Sequence, residues 1–251
     1  MARFFLAALV SLLTIAAISP QKVSAQEDLA ILVDEGQRLA ALLRAGRSVI
    51  SSNQDLINDP SIGDKGLDNA TFMKAVEEKY IEQNGASPLE GNLTAEQKQL
   101  TEAQLASMAE IIDENQDLIN TEGMGFKGLI PAIFGRLVNE RFFEKQGALV
   151  KLKVTAPPHL VRNRKARPDD WEKAVLAEKF DTQGWTKGEA FYEELTTNGE
   201  TTFRMLIPEY YSESCLSCHG GPKGEMDVTG FPKEGGAAGD LAGAISITLK
   251  R

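Results

Sequence analysis

The sequence predicts an α+β protein in which N-terminal helices pack with an antiparallel sheet. Three observations carry that expectation. Apolar residues recur at helical spacing through the first part of the chain, they alternate with polar ones beyond Gly147, and Asn198-Gly199 separates two alternating runs as a hairpin turn. Leu32, Leu39, Leu42, Leu43, Val49 and Ile50 mark an amphipathic helix over about 27–56. Asn69 is placed to cap a second helix bearing Phe72, Val76 and Tyr80, closed by Asn84-Gly85. Thr94 with Gln97 is a capping-box pattern for a third, with Leu105, Met108, Ile112 and Leu118 inward. Pro131 opens a fourth, whose Phe134, Leu137, Val138 and Phe142 share one face before Gly147 stops it. A strand over 149–154, a short helix over about 171–180 and strands over 189–195 and 201–207 follow. In the last strand Ile245, Ile247 and Leu249 alternate with Ser246, Thr248 and Lys250. The economical arrangement is a sheet with its helices on one side.

The 251 residues suit one large domain or two small ones, and 42% hydrophobic content is ample for a packed core. A net charge of −9 argues against a nucleic-acid partner, which needs a basic footprint. Two cysteines cannot build a disulfide scaffold. Residues 1–25 resemble an export signal: Arg3 precedes an apolar run over 4–18, Pro20 breaks it, and Val23-Ser24-Ala25 presents small residues for cleavage. That run is shorter than the roughly 20 residues of a spanning helix. The expectation is a periplasmic or otherwise exported protein without membrane insertion after cleavage; a retained anchor is the alternative.

One internal repeat stands out. Asn53-Gln54-Asp55-Leu56-Ile57-Asn58 recurs as Asn115-Gln116-Asp117-Leu118-Ile119-Asn120, and each copy is followed at equal distance by Gly, Lys-Gly and Leu. Over 53–67 and 115–129, ten of the fifteen aligned positions are identical. Two copies are too few for a solenoid. They read either as paired binding loops or, preferably, as two similar helix–turn connections packed as a pseudo-symmetric pair.

Both cysteines fall in Cys215-Leu216-Ser217-Cys218-His219. C-x-x-C-H is the attachment signature of haem c: the thiols add across the porphyrin vinyl groups, and the adjacent imidazole ligates iron. Export agrees with this chemistry, because such attachment takes place outside the bacterial cytoplasm. Three rivals remain open: a zinc site completed by His159, a C-x-x-C thiol oxidoreductase, and a plain disulfide. The first lacks good tetrahedral aim from adjacent residues. The second usually opens a helix, whereas this motif runs into a Gly-rich loop. The third gains little from so tight a ring.

From about residue 46 to the end, the sequence resembles a bacterial family of exported single-haem c-type proteins of no assigned activity. The resemblance rests on Ile130-Pro131-Ala132-Ile133-Phe134-Gly135, on Arg162-Asn163, on Pro168-Asp169-Asp170-Trp171-Glu172 and on Phe203-Arg204 through Ile207-Pro208. Cys215 to Gly220 and Gly239-Asp240-Leu241-Ala242-Gly243-Ala244-Ile245-Ser246 complete it. It implies one covalent haem c in a PAS-like domain, and so a division into export signal (1–25), helical region (26–147) and PAS-like haem domain (148–251).

Cys215 and Cys218 are thus the expected covalent anchors and His219 the proximal iron ligand. His159 and Met205 are candidate distal ligands; Met124 and Met226, on loops, are others, and an open site is a further option. Arg162 and Arg204 are candidate propionate partners, because guanidinium meets carboxylate bidentately. Tyr210 and Tyr211 are placed to cover the ring or to end the strand. The expected role is electron transfer with a redox partner. The alternative is a redox or gas sensor that responds to a diatomic ligand and works through a signalling partner. An enzyme such as a peroxidase ranks below both, with His159 and Arg162 as its one candidate distal pair.

Overall fold

The computed structural model describes residues 20–250; the apolar run over 4–18, and with it most of the export signal expected over 1–25, lies outside them. Among the described residues no helix is long and apolar enough to cross a membrane. The first helix, α1 (Pro20–Ser52), stops short of the expected boundary. The Asn53 side-chain amide donates to the Val49 carbonyl at 2.8 Å and competes with the backbone ladder, so a separate turn, α2 (Gln54–Asn58), follows. Asp68, rather than Asn69, caps α3 (Asn69–Asn84), and Gly85 closes it in the left-handed conformation. The capping box of Thr94 and Gln97 opens α4 (Ala95–Glu114), which breaks at Asn115 into α5 (Gln116–Asn120). Pro131 opens α6 (Pro131–Gln146) and Gly147 ends it.

Four antiparallel strands, β1 (Val150–Thr155), β2 (Phe191–Thr197), β3 (Glu200–Tyr210) and β4 (Leu241–Lys250), lie in the order β1-β4-β3-β2. The β2–β3 turn holds Asn198 and Gly199 at φ 54° and 81°, the double positive φ that a two-residue hairpin requires. The register pairs Met205 with Ile247 and Leu152 with Ile247. Phe203, Met205, Ile207, Ile245, Ile247 and Leu249 face one core with Leu39, Leu43, Phe72, Met108, Phe134 and Phe142 of the helices. Phe72 and Phe134 meet edge to face at 5.4 Å.

The sheet is covered on both sides, which corrects the expectation of helices on one side only. Leu206 and Ala244 alternate with the residues above and pack instead with Val175, Leu176 and Phe180. Those come from α7 (Asp170–Val175) and the π-helical turn that continues it, Leu176–Phe180. Leu149, expected in the first strand, is exposed in a turn preceding it.

The repeated segments bond to each other reciprocally. Gln54 donates to the Leu129 carbonyl at 2.9 Å and Gln116 to the Leu67 carbonyl at 3.0 Å. Asn120 accepts from the Lys65 amide at 3.1 Å, and Asn58 from the Lys127 amide at 2.9 Å. Both lysine side chains are buried and donate to backbone carbonyls, Lys127 to Ile57 at 2.5 Å across the pair and Lys65 to Asp59 within its own copy. Burial and the neighbouring Lys65 ammonium hold Lys127 below the ordinary lysine value. The repeat is a pseudo-symmetric staple in which each turn satisfies the other's polar backbone.

Glu35 of α1 is buried, with no hydrogen-bond partner on either carboxyl oxygen and Arg38 at 3.9 Å. Burial pushes its pKa up to about 7, against the pull of Arg38 and with a further push from Asp34 and Glu96. Between its ordinary value of 4.5 and about 7 the folded chain therefore holds a proton that the unfolded chain has lost, so stability falls as pH rises through that window. Glu35→Gln should abolish this fall and stabilise the protein at pH 8 by up to about 3 kcal/mol. Urea denaturation of both proteins at pH 5 and pH 8 checks it; parallel pH profiles would refute the assignment.

Candidate functional site

The connection between β3 and β4 carries the cysteine motif. Its base is closed by the Tyr211 amide donating to the Asp240 carbonyl at 3.0 Å and the Gly239 amide to the Tyr211 carbonyl at 2.8 Å. A turn over Glu213–Cys215 leads into one helical turn, α8 (Leu216–His219). This places Cys215, Cys218 and His219 within one tight coil. Both cysteines are free thiols and half-buried. Helix α1 frames the site: Arg44 and Arg47 both bind Glu209 at the end of β3, at 2.6 and 2.8 Å, and Ser51 reaches Ser214 at 3.3 Å.

The imidazole of His219 is held on two sides. Its Nδ1 donates to Glu234 Oε2 at 2.9 Å, and the Tyr211 ring stacks on it with centroids 5.0 Å apart and planes 24° apart. The Gly236 amide donates to the His219 carbonyl at 2.8 Å. A Cβ at Gly236 would lie 2.7 Å from the Tyr211 ring, so this approach requires glycine. With Nδ1 engaged, Nε2 is the nitrogen left for a metal.

Glu234 is fixed in turn by Arg162, whose Nε and Nη2 donate to its two oxygens at 2.8 and 2.9 Å. The same guanidinium donates to Asp227 at 2.6 Å and to the Cys218 carbonyl at 2.9 Å. Burial opposes ionisation of Glu234, but hydrogen bonds from Arg162 and His219 outweigh it and hold its pKa below the ordinary value. Asp227 is likewise held below its ordinary value: burial again opposes, while the Thr229 hydroxyl, the Phe231 amide and Arg162 all donate to the carboxylate.

The other candidates lie apart from this cluster in their contacts. Arg204 donates to Asp169 at 2.8 Å and lies over the Trp171 ring at 4.2 Å. Met205 is fully buried in the helix-facing core at Gly36 of α1. His159 is exposed in the Pro158–Leu160 turn. Met124 and Met226 are exposed on loops. Tyr210 has the Lys187 ammonium over its ring at 4.6 Å. Among the described residues no group of three or more His, Cys, Asp or Glu side chains is arranged to hold a metal ion.

The model of the Tll0287-like family matches residues 33–250. The chain belongs to that family. The matched span takes in nearly all of the helical layer, the whole sheet and the cysteine loop. No curated protein and no solved structure matches the chain.

Sequence reasoning missed Glu234 and Asp227. They sit in a Gly-rich loop at no spacing that links them to His219, and only the fold of the loop brings them to Arg162. Because the folded pKa of Asp227 lies below its ordinary value of 3.8, its contribution to stability is complete above about pH 5 and is lost as pH falls further. Asp227→Asn should lower stability at neutral pH by about 1–3 kcal/mol and flatten the acid decline. An acid series of denaturation curves tests this, and identical slopes for the two proteins would reject it.

Proposed function

We propose that this chain is a mono-haem c-type cytochrome-like protein of the periplasm, acting in electron transfer. Cys215 and Cys218 would form the thioether bonds and His219 would ligate iron through Nε2. The observation that carries the reading is the Nδ1 hydrogen bond from His219 to Glu234, because a metal-binding imidazole characteristically donates its other N–H to a carboxylate or carbonyl. Support comes also from the surface. Met226, Val228 and Phe231 are 60%, 62% and 42% exposed on the loop that follows the motif, an apolar stretch that a porphyrin face suits. Membership of the Tll0287-like family accords with a cytochrome-like protein, and the four-stranded sheet is the PAS-like element of this reading.

A bound haem would supply one-electron iron chemistry. The chain's own residues do the rest. Glu234 and Tyr211 hold the imidazole, and the Arg162 guanidinium fixes both Glu234 and the carbonyl of Cys218. The acidic surface suits transient docking on a basic redox partner.

One observation favours the sensor alternative: Met205 is sealed in the core. His159 or a loop residue such as Met124 or Met226 would then be left to complete a bound haem, or the position would stay open to a diatomic gas. In this reading a change at the iron biases a signalling partner.

Expressed with a haem-attachment system, the protein should give a pyridine haemochrome spectrum and keep its colour when denatured. His219→Ala should lose the low-spin spectrum. A colourless product with two unmodified thiols by mass spectrometry would overturn the proposal. Carbon monoxide added to the reduced protein separates the two roles: inertness with reversible redox cycling fits electron transfer, and rapid binding fits sensing.

A further inference from the structure

We propose that Glu234 is the positioning residue that sets the reduction potential of the site, lowering it through His219. The proposal rests on the haem reading above and adds to it a residue and a direction. The Glu234 carboxylate accepts from His219 Nδ1 at 2.9 Å, which leaves Nε2 as the nitrogen for iron. A carboxylate acceptor draws the Nδ1 proton and makes Nε2 a stronger donor to iron, which favours the higher oxidation state. A backbone carbonyl in the same place would do so less, since it carries no net charge.

Charge counting points the same way. One cation, Arg162, binds two carboxylates, Asp227 and Glu234, so the linked group keeps one negative charge. The side chains are 18%, 0% and 18% exposed respectively, and at such burial screening by water is weak. That net negative group abuts the imidazole, because Glu234 is the member that touches His219. An iron bound at Nε2 is thereby stabilised as the more positive ferric ion.

The geometry also shows why Glu234 does more than pair with Arg162. Arg162 takes both Glu234 oxygens, and Oε2 is shared with His219. Stacking by Tyr211 and the Gly236 amide hold the ring and backbone independently. Loss of the charge on Glu234 therefore leaves His219 in place and alters what it donates.

Glu234→Gln is the test, because the amide oxygen still accepts from Nδ1 while the charge is gone. In the haem-loaded protein, the haemochrome yield and the low-spin spectrum should be kept. The midpoint potential should rise by about 59 mV, corresponding to a tenfold shift of the one-electron equilibrium. Full loading with an unchanged or lower potential would overturn the proposal. If the variant fails to load, nitrogen-15 NMR of the full wild-type chain made without attachment machinery decides. A His219 ring protonated at Nδ1, with its proton far downfield, supports the proposal; one protonated only at Nε2 overturns it. A wild-type chain that never takes up haem would refute the functional reading and leave that NMR result standing, so the two failures are distinguishable.

Discussion

The Arg162 guanidinium, wedged between Asp227 and Glu234 and bonded to the Cys218 carbonyl, holds the loop that presents the cysteine motif. A buried charge without partners costs several kcal/mol, so each carboxylate is tolerable only because the cation is there, and the cation only because of them. Replacing Arg162 would leave two desolvated carboxylates behind, and that dependence ties 162, 218, 227 and 234 into one unit. The loop is Gly-rich and carries little apolar burial of its own, so these polar contacts supply the order that a hydrophobic core supplies elsewhere.

The rest of the fold delivers the two sides of that unit to the same place. The β3–β4 pairing fixes where the loop leaves and rejoins the sheet, and the bonds between Tyr211 and the 239–240 turn close its neck. Helix α1 spans the helical layer and docks by Arg44 and Arg47 on Glu209, just before the motif. The same C-terminal end runs on into the repeat staple, where reciprocal Gln and Asn contacts fasten α2 to the turn after α5 and α5 to the turn after α2. The repeat therefore has a structural account: two short turns with too little apolar surface to stand alone complete each other's hydrogen bonds.

A site of this kind is tuned by what surrounds its histidine more than by the motif itself. Under the haem reading proposed above, the five-residue motif leaves potential and ligand access open. In this chain a carboxylate backs the imidazole, an aromatic ring lies against it, and an exposed apolar loop follows. These features bear on an electron carrier and a sensor alike, since both depend on how the iron responds to its proximal ligand. The acidic overall charge concerns a partner's approach rather than the chemistry.

What the sequence determined by itself is what local physics controls. The capping box at Thr94, the proline at 131, the Asn198-Gly199 turn and the alternation in β4 each act within a few residues, and all appear where their spacing placed them. The C-x-x-C-H motif is local in the same sense. The two helix breaks were half legible: the repeated Asn was visible, but its side-chain bond back to the preceding turn decided between one helix and two. The tertiary structure alone decided which face of the sheet α7 covers and that Met205 is sealed inside. It alone brought Glu234 to His219 and Arg162 to both Glu234 and Cys218. Those partners lie 15, 72 and 56 residues apart in the chain. No periodicity encodes a contact across such a span, because it depends on how strands pair and loops close, and those follow from the packing of the whole core.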